Sequence, residues 1–121
     1  EAALLASFAE FPNASGISAS PIGTFSNSIS GSSVWSFDAT TQQENSIVFV
    51  AIGNRFKNQP FDFSAGIVNE IVAVDGGGSQ LEGASHATGK TGQIASGVHT
   101  LQFENTKGPT VASALALEVF V

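Results

Sequence analysis

The chain has 121 residues and no cysteine, and its four Lys plus Arg face ten Asp plus Glu, for a net charge of −6. That length suits one domain around one core, and nucleic acid is excluded as a partner because phosphate binding needs clustered cations. Thiolate metal sites and a cysteine nucleophile are excluded outright.

Residues 1–11, EAALLASFAEF, form an apolar arm that Pro12 closes. Leu4, Phe8 and Phe11 share helical spacing with Leu5 beside them, whereas a strand would align Leu5, Ala9 and Phe11, so both conformations stay open. In either one the arm needs a surface to bury against. The chain therefore divides into an N-terminal apolar arm, 1–12, and a single domain, 13–121.

Residues 12–33 are rich in Ser, Gly, Asn and Pro and predict a loop with one edge strand near 22–30. Val34 to Phe37 is a short aromatic strand. Ser46 to Ile52 is β-branched and almost wholly apolar, which predicts a central strand, and Ile67 to Val74 is another. Between them the Phe-rich stretch 53–66 carries no element. Weak strands are expected at 79–86 and 92–96. Val98 to Phe103 alternates His99, Leu101 and Phe103 against Val98, Thr100 and Gln102.

The run TVASALALEVFV at the end alternates most strictly. Val111, Leu115, Leu117, Val119 and Val121 share one face with Ser113, and Ala112, Ala114, Ala116, Glu118 and Phe120 share the other. The small Ala face predicts that something packs closely over it. Core residues are expected at Ile47, Phe49, Ile67, Ile71, Leu101, Phe103, Leu115 and Leu117. On that reading Leu115→Ala costs about 2–5 kcal/mol. Glycine-rich turns at 75–78 and 107–109 separate the strands at the spacing of an all-β fold. The class is an antiparallel two-sheet β-sandwich, jelly-roll-like. The ending, Ser96 to Phe103 followed by Ala114 to Val121, resembles the final hairpin of jelly-roll carbohydrate-binding modules, a likeness that carries no binding residue with it.

Motifs for chemistry are sparse. Gly83 to Thr91, GASHATGKT, has the end of a phosphate-binding loop, but five residues separate its glycines instead of four, and a polar turn is the plainer reading. His99 reads as a core histidine and His86 as a loop residue. Neither belongs to a zinc spacing, and no GxSxG elbow accompanies the serines. Asp38, Asp62, Asp75 and Glu82 sit in or near loops. They lack the register of a calcium loop, so no cofactor is expected, and calcium is the metal such carboxylates would suit. Asn13-Ala14-Ser15 is a candidate glycan acceptor at Asn13. Trp35, with Asp38 near it, is the candidate carbohydrate platform, set against burial of the ring in the core.

Three functions follow. A charged fraction of 12% leaves weak self-repulsion, and with the apolar arm this favours a structural subunit that assembles with copies of itself. The product would be a pilus-like filament, a surface layer or a coat, with Leu4, Leu5, Phe8 and Phe11 contacting a neighbour. The alternative is a carbohydrate-binding module using Trp35 and Asp38. A small hydrolase is the remote third, and no enzyme is expected. Glu1 opens a chain without methionine, which points to cleavage of a leader and an extracellular or cell-surface location. No apolar stretch reaches the length of a membrane helix, and membrane insertion is not expected.

Overall fold

The computed structural model describes residues 10–27, 34–54, 61–62, 68–75, 85–105 and 112–121. Among them every regular element is a strand: β1 (Gly16–Ile17), β2 (Gly23–Asn27), β3 (Val34–Thr41), β4 (Ile47–Asn54), β5 (Phe61–Asp62), β6 (Val68–Asp75), β7 (Ser85–Thr91), β8 (Gly97–Asn105) and β9 (Ala112–Phe120). They form two antiparallel sheets. The larger runs β1-β9-β4-β7-β6, with β2 also paired to β9, and the smaller runs β3-β8-β5.

The β-branched run at 47–52 lies between β9 and β7, the central place its composition predicts. Of the weak strand expected at 79–86 only residues 85–86 are described, and they open β7, which carries His86 and the Gly89-Lys90-Thr91 run. Residues 92–96 make only an isolated bridge, Ser46 to Ile94. β8 and β9 are no hairpin, since β8 pairs with β3 and β5 while β9 pairs with β4, β2 and β1. The two strands alternate alike but belong to different sheets.

One hydrophobic cluster spans the two sheets. The smaller sheet contributes Trp35, Phe37, Ala39, Leu101 and Phe103, and the larger contributes Val48, Val50, Ile52, Ala87 and the three alanines of β9. Phe103 holds the centre: Phe25 and Phe37 meet it edge-on, with centroids 5.6 and 6.2 Å away, and Trp35 lies tilted against it at 5.5 Å. Such pairs add to the burial of their area. Their bulk explains the small face opposite, because only Ala112, Ala114 and Ala116 leave room for the rings.

This reverses the expected facing of two strands. Val48, Val50 and Ile52 of β4 point inward, so Ile47 and Phe49 lie on the outer face and are half-buried. In β9 the alanines and Glu118 point inward, Leu117 is half-buried outside, and Leu115 is 37% exposed. Leu101 and Phe103 are buried as expected, and Ile67 and the Ile71 side chain lie outside what is described. Leu115→Ala is therefore expected to lower stability by about 1 kcal/mol or less, and Leu101→Ala by about 3 kcal/mol. Urea midpoints of the two variants measured side by side check the assignment.

Candidate functional site

The outer face of the larger sheet is divided by chemistry along its strands. Register places Leu117 beside Phe49 and Lys90, and Val119 beside Ile47 and Ile17. That end is apolar: Ile17 is 54% exposed, Val121 is 52% exposed, and Val119 is buried. The other end is small and mixed. Ser113, Gly53 and His86 form one cross-strand row, and Leu115, Ala51 and Thr88 form the next, with Thr24 of β2 beside Leu115.

Each end holds a cavity of about 400 Å³. The one beside the apolar end has a mixed lining that includes Glu10, Phe11, Asn13, Ile47, Lys90 and Val121. The Phe11 ring meets Phe49 edge-on at 5.9 Å, and Lys90 Nζ lies 5.4 Å from its centroid. Ala14 N donates to Phe11 O at 2.9 Å and turns the chain at Pro12–Asn13. Phe11 thus rests on its own domain, and Asn13 is exposed where a glycan could attach. Leu4, Leu5 and Phe8 lie outside the described residues.

The second cavity is a trough floored by Ala51 and Gly53 and walled by Thr24, Leu115, Ser113, His86 and Thr88, and most of its exposed lining is apolar. Thr88 is 4% exposed, and its Oγ1 has no hydrogen-bond partner. Both ring nitrogens of His86 are buried and likewise unpartnered. Buried polar atoms are nearly always satisfied, so three orphans at one cavity are unusual.

The remaining candidates disperse. Trp35 is buried at 6% exposure and packed on Phe103, so its ring offers no platform to a sugar. Asp38 is exposed on the opposite face of β3 and accepts from Thr100 Oγ1 at 2.8 Å. A platform and its polar neighbour would have to share a face, and these two do not. His99 Nε2 lies 2.7 Å from Ala95 O, a satisfied histidine at the rim of the core. Gly89 to Thr91 is strand, not loop, so its N–H groups serve the sheet. Asp62 and Asp75 are described in their backbone only, and Glu82 lies outside. Among the described residues no three His, Cys, Asp or Glu gather as a metal site.

Register also puts Asp75 beside His86, completing a row of Ser113, Gly53, His86 and Asp75. A triad needs its imidazole bonded to both partners, and neither nitrogen of His86 is bonded. Ser113 also stands two strands away, about 10 Å by strand spacing.

One buried acid has a structural role. Glu118 is wholly buried, and its carboxylate accepts from Gln42 N at 2.8 Å, Gln43 N at 3.0 Å and Ser46 Oγ at 2.6 Å. Burial pushes this carboxyl up, but the Ser46 hydroxyl and the two backbone N–H groups outweigh it and hold the pKa below the ordinary value. The acid thereby fixes the crossover from β3 to β4, from one sheet to the other. Sequence alternation placed Glu118 with the alanines, but its donors lie more than seventy residues away.

No protein-family model, curated protein or solved structure matches the chain.

Proposed function

We propose that this chain is a structural subunit, a jelly-roll-like sandwich that assembles with copies of itself at or outside the cell surface. Its product is a pilus-like filament, a surface layer or a coat. The observation that carries the reading is the apolar end of the outer face. Ile17 and Val121 stand more than half exposed beside half-buried Ile47, Phe49 and Leu117. A solitary soluble domain rarely leaves such a patch bare. The arm enters the domain at this same end through Phe11, with Leu4, Leu5 and Phe8 just before it. Burying those three against a neighbour is worth roughly 4.5–9 kcal/mol before ordering costs. Sparse charge lets identical surfaces approach. The reading assigns the chain no catalysis and no cofactor.

Light scattering and electron microscopy of the intact chain test it. Assembled particles are expected, growing with concentration. Deleting residues 1–9 keeps Phe11 in its seat and is expected to weaken self-association at least tenfold, about 1.4 kcal/mol, with the domain still folded. A chain that stays monomeric at high concentration overturns the proposal. So does a deletion variant that assembles as well as the intact chain, or one that unfolds.

A further inference from the structure

We infer that the trough on the outer face of the larger sheet, with unpartnered polar atoms at its wall, binds a neutral saccharide. The inference rests on the trough alone and is independent of assembly at the apolar end. Its volume of about 400 Å³ lies within the range of small-ligand sites. Thr88 Oγ1 and the two ring nitrogens of His86 are buried at its wall without a partner. Leaving buried polar atoms unmatched is costly, and a ligand that bonds them recovers that cost.

The atoms present define the ligand class. A neutral imidazole offers one donor and one acceptor, and a hydroxyl offers both. Thr24 and Ser113 add two more hydroxyls at the exposed rim. The complement is a set of adjacent ligand hydroxyls, each donor and acceptor at once. Among the described lining residues there is no Lys, Arg, Asp or Glu, and groups that both donate and accept fit neutral ligand hydroxyls best. Leu115 and Ala51 give its C–H surface an apolar wall. No Phe, Tyr or Trp ring lines the trough among these residues, so binding in the millimolar range is expected. This is a different place and a different chemistry from the Trp35 platform.

The test uses the intact isotope-labelled chain, titrated with cellobiose, mannobiose, xylobiose and lactose and followed by NMR. At least one probe is expected to give saturable shifts at the Thr88 methyl and the His86 ring. Thr88→Val keeps the shape and removes the orphan hydroxyl. It is expected to weaken that binding about tenfold, while leaving the melting temperature of the free protein unchanged or raised. His86→Phe, which removes both nitrogens, is expected to abolish it. The inference is overturned if no probe gives saturable shifts at these groups, as it would be if the orphans bind water only. It is also overturned if Thr88→Val binds as well as the parent. A marked loss of stability in Thr88→Val overturns it too, because the hydroxyl would then have a structural partner.

Discussion

Replacing Glu118 by glutamine is expected to remove about 2–4 kcal/mol of stability at neutral pH, among the largest effects of any single polar substitution in the chain. The carboxylate accepts from two backbone N–H groups and one hydroxyl. An amide can turn only one oxygen to those donors, so its NH₂ must face a donor that has nothing to accept. Backbone holds the residue as firmly: Glu118 N donates to Ser18 Oγ at 3.0 Å, and Ser18 N donates back to Glu118 O at 2.8 Å. The side chain therefore cannot move away from the mismatch. The pH dependence has a definite sign. The folded pKa lies below the ordinary 4.5. The carboxylate's contribution is therefore whole above that value and is lost as pH falls through the folded pKa. Urea midpoints of parent and Glu118→Gln should differ widely at neutral pH and converge as pH falls through the folded pKa of the acid. Equal midpoints at neutral pH would show that the crossover from β3 to β4 does not depend on this acid.

The strands were legible in the sequence because their apolar residues recur at every second position, most plainly in β4, β8 and β9. Which face of β4 and β9 points inward was not. Both faces are apolar, and local hydrophobicity favours the leucines and Phe49 over alanines. The choice is made by volume across the core. Phe25, Trp35, Phe37 and Phe103 fill the space between the sheets, so the strand opposite must present Ala112, Ala114 and Ala116. For Phe25, Trp35 and Phe37 that constraint couples residues about seventy-five to ninety positions apart, and no local window along the chain contains it.

The trough was half legible. His86, Thr88 and Lys90 alternate with Ala87, Gly89 and Thr91, the period of a strand with one polar face. The glycines and the likeness to a phosphate loop mask that alternation. Thr24 and Ser113 come to the same place only through the pairing of β2 and β4 with β9. A reading of one segment at a time assembles no such site.

The corner at Ile22 and Gly23 gives the second large effect. Ile22 N donates to Ala116 O of the larger sheet at 2.8 Å, and Ile22 O accepts from Thr40 N of the smaller at 3.1 Å. One residue thus stitches both sheets, and the next must let their backbones touch. A Cβ at Gly23 would overlap the carbonyl oxygen of Asp38 and stand 3.0 Å from Ala39 Cα. Neither is the end of a flexible side chain, and Ala39 is itself buried. Relief would require β2 and β3 to part, breaking the Thr40 bond and loosening Phe25 from Phe37 and Phe103. Gly23→Ala is therefore expected to cost about 2–4 kcal/mol, the range of overpacking against an unyielding wall. Gly16→Ala is the control. Its added methyl would meet only the Phe120 ring at 3.4 Å, an ordinary contact, and the lost chain freedom lies in the unfolded state. That variant should stay within about 0.5 kcal/mol of the parent or gain slightly. Urea unfolding of the three proteins with a common m-value makes the comparison. If Gly23→Ala proves as mild as Gly16→Ala, β2 and β3 are not in contact in solution, and the two sheets are joined elsewhere.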